Sequence, residues 1–444
     1  MKTLGLDLGT TSISCVVMDN SNNTQLFATS VHSDSNIEGL EPWERQQNAI
    51  EIERKCYKLL DACLKRWPDI SAIGITGQMH GIVYLDKDGN LLTNLYTWQD
   101  GCGNRIIPEG NESYAERLSR ITGSPMSTGY GLTTHYYNLC EGLVPPNSYK
   151  ICTIMDYIAM RLCGNKTPCT HPTNAASFGF FELDKGEFSK EKLAAAGINK
   201  DILPEVIHEE AFIGTMNGSI PVSIPIGDNQ AGIYSLYEHP GDVIINIGTS
   251  GQVSTVRSTI DVPEGLEVRP FIYGKYVMLG TCLCGGSSLS ILNHFFAQSC
   301  ASLGINVSEE QIYDMMMKTG TEALDFADPL LVKTQFDGTR RNPQQHGTIE
   351  NITVNNFQPG NLSLGFCYGI CNEMYELYLK MGIDCDRLFL CGNAARKNIL
   401  LRRVCEKMFG REAILPSFSE ESATGAARYA YTILEKSAKN AAAS

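Results

Sequence analysis

One short segment near the N-terminus carries side chains that suit phosphate and metal binding. Asp7 is followed closely by the turn-like run Gly9-Thr10-Thr11. Glycine lets main-chain N–H groups approach a phosphate, and threonine hydroxyls add further donors. A hard cation such as Mg²⁺ prefers carboxylate and phosphate oxygens, so Asp7 could orient one directly or through its waters. An ordinary β-hairpin with Gly and Thr in its turn is the alternative.

The same pattern recurs in the second half of the chain. A strand signal, a Gly-Thr turn and a second strand signal occur over residues 4–18 and again over 243–256, where the turn is Gly248-Thr249. Two halves that begin alike indicate a duplicated domain, with the two turns facing each other across a cleft. The repetition favours phosphate binding over two unrelated hairpins.

A glycine pair, Gly285-Gly286, precedes a stretch with helical periodicity over 289–296. Main-chain N–H groups and the positive end of the helix dipole favour an anion at such a position. A serine cap after a loop explains the same segment equally well. Anion binding is therefore one of two interpretations here.

Asp228 lies in a run of small and polar residues, 226–232, that follows an apolar, β-like segment. Its small neighbours leave room for a ligand. The carboxylate could accept the proton of an attacking hydroxyl group, and it could equally cap the helix that follows. The residues by themselves leave both roles open.

Strand and helix patterns alternate along the chain, which predicts an α/β fold with mixed sheets. The chain has 444 residues, more than one hydrophobic core normally supports, so we expect about two domains. Small residues at 424–427 allow the last helix to pack closely. The elements predicted besides the two hairpins are helix 43–66, strands 70–76 and 82–85, helix 364–381, strand 387–391, and helices 397–409 and 421–436.

The composition argues against several classes of protein. The formal charge is −13 and no block of Lys and Arg occurs, so we expect no nucleic-acid or membrane partner. The 16 cysteines lie mostly in apolar stretches without a Cys-x-x-Cys pair, which predicts buried thiols in a reducing compartment. No apolar run approaches the ~20 residues of a membrane span, and the N-terminus lacks an apolar signal segment. We therefore expect a cytoplasmic protein.

Six motifs together resemble the FGGY family of carbohydrate kinases. They occur in family order and, with segments around Gly392 and Gly425, cover nearly the whole chain. The first motif is shared with other sugar kinases, whereas Gln-Met-His-Gly and Gly-Asp are more specific. The motifs are Gly5-Leu6-Asp7-Leu8-Gly9-Thr10-Thr11-Ser12, Gly77-Gln78-Met79-His80-Gly81, Thr97-Trp98-Gln99-Asp100, Asn174-Ala175-Ala176-Ser177, Gly227-Asp228-Asn229-Gln230-Ala231 and Asn246-Ile247-Gly248-Thr249-Ser250.

The resemblance implies two ribonuclease H-like domains of the actin and hexokinase type around an interdomain cleft. Residues 1–239 would bind the sugar and carry the catalytic base, and residues 240–444 would bind the nucleotide. The implied activity is phosphorylation by ATP of the terminal hydroxyl of a ketose, with sedoheptulose as the first candidate because of the segments at 97–101, 174–181 and 227–231. Xylulose, ribulose, fructose or another polyol are alternative acceptors. A non-enzymatic actin-like nucleotide-binding protein is the more distant alternative.

The resemblance also assigns roles to single residues. Asp228 matches the catalytic base, and Asp100 would accept two hydroxyl hydrogens of the sugar. Where many members carry a Gly-Gly-Gly run, this chain has Cys391-Gly392-Asn393, which leaves the contacts with the nucleotide base open. The residues implied in sugar binding are Gln78, Met79, His80, Trp98, Asp100 and Asn229. Those implied in binding Mg²⁺ and ATP are Asp7, which would hold the metal through water, Thr10, Thr11, Gly248, Thr249, Gly285, Gly286, Gly392 and Asn393.

Overall fold

The computed structural model describes residues 1–108, 110–325, 328–339, 342 and 344–443. These residues form two compact units. The first unit comprises Met1–Ser235, Arg269–Lys275 and Phe418–Ser444, and the second comprises Leu236–Val268 and Tyr276–Ser417.

The first unit is built on a mixed sheet whose central strands are almost fully buried. Its strands are β1 (Lys2–Leu8), β2 (Ser12–Asp19), β3 (Thr24–His32), β4 (Ile70–Gly77), β5 (Phe212–Met216), β6 (Ile220–Ser223) and β7 (Ile226–Gly227). They lie in the order β5-β6-β4-β1-β2-β3, and β7 also pairs with β4. Strand β2 is antiparallel to both β1 and β3, whereas β4 is parallel to β1, β6 and β7.

The second unit repeats this arrangement. Its main strands are β8 (Asp242–Ile247), β9 (Gly251–Arg257), β10 (Tyr276–Cys282), β11 (Arg387–Cys391) and β12 (Ala413–Ile414), in the order β10-β9-β8-β11-β12. Strand β9 is antiparallel to β8 and β10, and β11 is parallel to β8 and β12. Order and direction match β3-β2-β1-β4-β6 of the first unit, which confirms the predicted duplication.

Helices pack against both sheets. The remaining short strands pair in two-stranded sheets, except for Glu267–Pro270, which pairs with β10. The helices are α1 (Ala49–Arg66), α2 (Tyr114–Thr122), α3 (Gly131–Cys140), α4 (Ile154–Leu162), α5 (Pro172–Ala175), α6 (Lys190–Ala195), α7 (Asp228–Tyr234), α8 (Gly286–Ser302), α9 (Glu309–Glu322), α10 (Pro359–Met381), α11 (Asn393–Lys397), α12 (Ile399–Phe409) and α13 (Glu421–Ala443). The remaining strands are Gln46–Gln47, Val83–Leu85, Leu95–Tyr96, Lys150–Cys152, Cys169–Thr170, Phe181–Glu182, Glu187–Phe188, Glu205–Val206, Glu267–Pro270, Leu331–Lys333 and Thr348–Glu350.

Predicted helix 364–381 begins earlier, at Pro359, and predicted helix 421–436 continues to Ala443. Two further predicted helices differ from those observed, and caps explain both of these differences. The first begins at Ala49 rather than at 43, because Asn48 caps it by accepting a hydrogen bond from the main-chain N–H of Glu51. The predicted helix 397–409 is divided between α11 and α12. Asn398 leaves helical geometry there and caps α12 through the N–H of Leu401.

The predicted core thiols are present, since most of the cysteines are buried and all sixteen are free. In α1, Ile52, Cys56, Leu60 and Cys63 form the buried stripe that the spacing predicts. No helix among the described residues is long and apolar enough to cross a membrane.

The C-terminal helix α13 belongs to the first unit, although it lies in the part of the sequence predicted as the second domain. Thr3 on β1 donates a hydrogen bond to the carbonyl of Ala427, and Ser422 donates one to the carbonyl of Asp228. A Cβ atom at Gly425 would overlap the carbonyl of Ala231 in α7. The small residues at 424–427 therefore bring α13 directly onto the helix that begins with Asp228.

We expect Gly425→Ala to lower the free energy of unfolding by about 3 kcal/mol, because the methyl group must push two helix backbones apart. Since α7 carries Asp228, the predicted base, any activity that depends on this residue should fall as well. Gly232→Ala on the facing helix is the matched control. A methyl group there meets only the Ser422 hydroxyl at 3.5 Å, so higher helix propensity should leave stability unchanged or slightly raised. Chemical denaturation of both variants tests this, and equal stabilities would contradict it.

Candidate active site

Three segments of the first unit leave the sheet side by side at one edge. Strands β1, β4 and β7 run parallel and end at Leu8, Gly77 and Gly227. The Gly-Thr turn follows the first, the Gln-Met-His turn follows the second, and Asp228 follows the third. The carboxyl edge of parallel strands is where α/β proteins bind their ligands. The sheet thus brings together segments that are far apart in the sequence.

Two carboxylates at this edge are held in an unfavourable environment. Burial and the nearby charges of Asp228 and Glu420 raise the pKa of Asp7 to about 8. Burial also raises the pKa of Asp228 to about 6, although the N–H of Asn229 and the charge of Arg269 act in the opposite direction and lower it. The Asn229 N–H donates to Asp228 Oδ1 at 2.7 Å. Perturbed carboxyl groups of this kind are typical of catalytic sites.

The surroundings of Asp7 suit a cation that is shared with a phosphate. Its Oδ1 atom is buried and accepts no hydrogen bond from any residue that the structure describes. Over the same residues, no group of three His, Cys, Asp or Glu side chains could hold a metal ion. Mg²⁺ is commonly bound by one or two carboxylates together with phosphate oxygens. The residues present therefore fit that mode of binding.

Thr10 is part of a hydrogen-bonded network with residues predicted to bind sugar. The indole N–H of Trp98 donates to Thr10 Oγ1 at 2.9 Å. The Thr10 hydroxyl in turn donates to Gln78 Oε1 at 3.4 Å, and Gln47 Nε2 donates to the Thr10 carbonyl at 2.7 Å. The hydroxyl hydrogen of Thr10 is thus engaged with Gln78, whereas Thr11 is exposed.

The turn after β4 holds a strained histidine. His80 has φ of 71°, a conformation that is uncommon for a residue other than glycine. Its main-chain N–H donates to Ser177 Oγ at 3.0 Å, and Nδ1 lies 2.7 Å from the Ser177 carbonyl. Because a carbonyl only accepts, Nδ1 carries a hydrogen. The ring stacks on Tyr130 with centroids 5.0 Å apart.

The other residues of the first unit that are predicted to bind sugar differ in how exposed they are. Met79 is buried and touches Gly227, while Trp98 is 46% exposed. Asp100 is only 1% exposed. Its two carboxylate oxygens accept the main-chain N–H groups of Arg45 at 2.9 Å and of Cys102 at 3.0 Å. Asp100 therefore holds the loop that carries Trp98, and burial raises its pKa.

In the second unit, the Gly-Thr turn is joined to the start of α8. Gly285 N donates to the carbonyl of Thr249 at 2.9 Å, and Gly286 N donates to that of Gly248 at 2.8 Å. A Cβ atom at Gly286 would lie 2.7 Å from the Gly248 carbonyl, so only glycine permits this approach. The structure thus unites Gly248, Thr249, Gly285 and Gly286, which the sequence predicted as separate phosphate contacts.

A cavity of about 680 Å³ opens beside this turn and includes Gly286 and Asn393 in its wall. Its volume is that of a small-molecule site. The part of α8 and α9 that faces it contributes Leu289, Tyr313 and Met317. These apolar and aromatic side chains suit a flat heterocycle, and the charged residues Glu309, Glu310, Asp314 and Lys397 also line the cavity. Gly392 begins α11 with φ of 87° and carries Asn393 to the cavity.

Several residues of these sites carry no signal in the sequence. Glu420 and Arg269 act on Asp7 and Asp228 only because the chain returns from distant segments. In the sequence, Tyr313 and Met317 look like ordinary residues of an amphipathic helix. Ser177 was part of a predicted motif, but its bonds to His80 could not be read from spacing.

Comparison with known proteins identifies the class. Residues 2–234 match the N-terminal domain model, and residues 243–432 the C-terminal domain model, of the FGGY family of carbohydrate kinases. Fold and matched domains together define a carbohydrate kinase. The chain belongs to the FGGY family.

Individual relatives resemble this chain over most of their length, although their sequence identity to it is low. The sedoheptulokinase of Homo sapiens is 26% identical, covering 92% of each chain. The xylulose kinase of Bacillus subtilis is 23% identical, covering 96% of this chain and 87% of the relative. The crystal structure of xylulose kinase from Rhodospirillum rubrum matches with a TM-score of 0.81 at 20% identity, over 97% of this chain and 90% of that one. The structural likeness shows the two ribonuclease H-like domains.

Proposed function

We propose that this carbohydrate kinase transfers the γ-phosphate of ATP to the terminal hydroxyl of sedoheptulose and forms sedoheptulose 7-phosphate. The observation that carries the proposal is the position of Asp228 at the carboxyl edge of the first sheet, next to the turn that bears Gln78 and His80. The similarity to human sedoheptulokinase over 92% of the chain supports the choice of sugar.

In this proposal Asp228 accepts the proton of the sugar hydroxyl as its oxygen attacks phosphorus. A pKa of about 6 leaves the carboxylate mostly ionised at neutral pH yet more basic than an exposed aspartate. Phosphoryl transfer has a loose transition state, so alignment of the hydroxyl contributes at least as much as its deprotonation. The N–H of Asn229 restrains the carboxylate for this purpose.

The sugar would be held by residues around the same edge. Gln78, Met79, His80, Trp98 and Asn229 are the proposed contacts. Trp98 offers an exposed ring face for the carbon chain, with its N–H anchored on Thr10. Asp100 can use its remaining lone pairs for sugar hydroxyls, and its bonds to Arg45 and Cys102 hold it rigid for that purpose.

ATP would be bound by the glycine-lined turns, with its base in the cavity beside Gly286 and Asn393. The phosphates are assigned to Gly248, Thr249 and Gly285 of the second unit and to Thr10 and Thr11 of the first. The Gly285 N–H and the Thr10 hydroxyl donate within the protein, so each would exchange that bond for one to phosphate. Ser287 in the first turn of α8 has a buried Oγ atom without a hydrogen-bond partner among the described residues, which suits a phosphate oxygen. Asp7 would hold Mg²⁺, which neutralises phosphate charge when it is bound.

Xylulose is the leading alternative acceptor, because xylulose kinases are similar over nearly the whole chain at 23% identity. Ribulose, fructose and other polyols use the same phosphate chemistry and would differ only around the sugar. The family assignment disfavours a non-enzymatic actin-like protein.

A panel of acceptors tests the proposal. We expect ADP release that depends on added sugar, with kcat/KM for sedoheptulose at least ~10-fold above that for xylulose, ribulose, fructose, gluconate and glycerol. Loss of one well-placed hydroxyl contact is worth about this factor or more. Coupled ADP assays of all six compounds provide the measurement. A higher kcat/KM for another sugar would replace sedoheptulose as the proposed acceptor. ADP release that none of the six compounds increases would contradict the proposal that the protein phosphorylates one of them.

A further inference from the structure

The segment that carries Asp228 lacks the usual local support at its helix start. Helix α7 has Gly227 as its N-cap, and no side chain caps its first turn. A capping Ser, Thr, Asp or Asn normally fixes the direction in which a chain enters a helix. The entry into α7, and with it the direction of Asp228, must therefore be fixed from elsewhere in the first unit.

Buried side chains of another segment provide this support. The main-chain N–H of Gly227 donates to Thr173 Oγ1 at 3.2 Å. Asn174 Nδ2 donates to the carbonyl of Pro225 at 3.1 Å. Both side chains belong to residues that are 0% exposed, so water does not compete for these bonds. The peptide group between Ile226 and Gly227, one peptide before the one that joins Gly227 to Asp228, is thus held by Thr173.

A buried histidine sets the direction of the Thr173 hydroxyl. The N–H of Thr173 donates to His171 Nδ1 at 3.3 Å, so this ring nitrogen carries no hydrogen. Thr173 Oγ1 lies 3.0 Å from the same nitrogen and must therefore donate its hydrogen to it. The lone pairs of the hydroxyl remain for the N–H of Gly227. Burial, together with the charge of His208, lowers the pKa of His171 to about 3, which keeps this arrangement in place at neutral pH.

We propose that Thr173, oriented by His171, is a positioning residue that sets the direction of the Asp228 carboxylate toward the acceptor hydroxyl. The proposal rests on the function proposed above, in which Asp228 is the base. Thr173 touches no reacting atom. It acts through the peptide group of Gly227, at the point where β7 passes into α7.

Thr173→Val tests this, because valine keeps the shape of threonine and removes its hydroxyl. We expect kcat to fall about 10–100-fold, while KM for ATP and for the sugar changes less than ~3-fold, since alignment rather than binding is lost. Thr173→Ser should restore kcat to within ~3-fold of the wild type, because its hydroxyl can make both bonds. Amide hydrogen exchange should show faster exchange at Gly227 in the valine variant only.

Thr3→Val is the matched control. Thr3 is also 0% exposed, and its hydroxyl also accepts one hydrogen bond, from Asn20, and donates another, to the Ala427 carbonyl. The two valine variants should lose similar stability, yet Thr3→Val should keep kcat and the exchange rate at Gly227. Equal kcat in the two variants, or unchanged exchange at Gly227 in Thr173→Val, would overturn the proposal. Full turnover of Asp228→Asn would instead overturn the function on which it rests, so the two failures are distinguishable.

Discussion

Asp228→Asn is expected to lower kcat by about 10²–10⁴-fold and to leave the Kd for ATP within ~3-fold of the wild type. A positioned general base contributes a factor of this size, and the amide cannot take a proton from the sugar. The substitution conserves shape, and the N–H of Asn229 that now donates to Asp228 Oδ1 can donate to the amide oxygen instead. Steady-state kinetics together with titration of ATP separates the chemical step from binding.

Asp88→Asn serves as the surface control. The Asp88 side chain is half exposed and pairs with the exposed Lys166 at 3.0 Å, so removal of its charge should change neither kcat nor ATP binding. Turnover of Asp228→Asn within ~3-fold of the wild type would place the base on another residue. A parallel loss of ATP affinity would show that Asp228 acts in nucleotide binding.

Asp7→Asn is expected to abolish most activity and at the same time to stabilise the protein. With the carboxylate that faces the proposed metal and phosphates removed, kcat should drop about 10²–10³-fold. The folded protein, however, no longer has to hold a negative charge at a site where burial and the charges of Asp228 and Glu420 raise the pKa of Asp7 to about 8. Such opposition between stability and activity is common in active sites.

The sign of the pH dependence follows from that pKa. The pKa is higher in the folded protein than the usual 3.8, so the folded state binds the proton more tightly than the unfolded chain. The wild type therefore loses stability between about pH 4 and pH 8, by at most about 1.4 kcal/mol per pH unit. The variant does not titrate there. Its Tm should exceed that of the wild type by several degrees at pH 8, with a smaller difference at pH 5.

Asp69→Asn is the control, because the charge of Asp69 is stabilised by its surroundings. Asp69 lies 2.6 Å from Lys2, and this bond lowers its pKa, so loss of its charge should slightly lower the Tm at pH 8. Thermal unfolding of the metal-free proteins at both pH values is the measurement. A lower Tm of Asp7→Asn at pH 8 would contradict the assignment of Asp7 as a destabilising charge.

The sequence predicted the architecture well, because its signals are local. The strand signals over residues 4–18 and 243–256, with the same Gly-Thr turn, indicated the duplication that the two sheets confirm. The helix bounds failed where a single side chain such as Asn48 or Asn398 ends or begins a helix, since caps act within one turn and override periodicity.

The predicted roles of individual polar groups stay predictions, and the structure adds partners that the sequence does not show. Thr10 is predicted to offer its hydroxyl to phosphate, and in the structure this hydroxyl donates to Gln78. Asp100 is predicted to accept two sugar hydroxyls, and in the structure each of its oxygens also accepts a main-chain N–H. Spacing shows that such groups are present. It does not show which partners from distant segments have already used their donors and lone pairs.

From the sequence alone come the duplicated α/β domain, the family resemblance and the residue types of the site, because strand signals, turn chemistry and motif order are encoded in neighbouring residues. Only the tertiary structure decided that α13 packs on the first sheet and that Glu420 and Arg269 shift the pKa values of Asp7 and Asp228. It also revealed that Thr173 accepts a hydrogen bond from the N–H of Gly227, the residue before Asp228. Burial and charge act through space, so they are set by whichever segments the fold brings into contact.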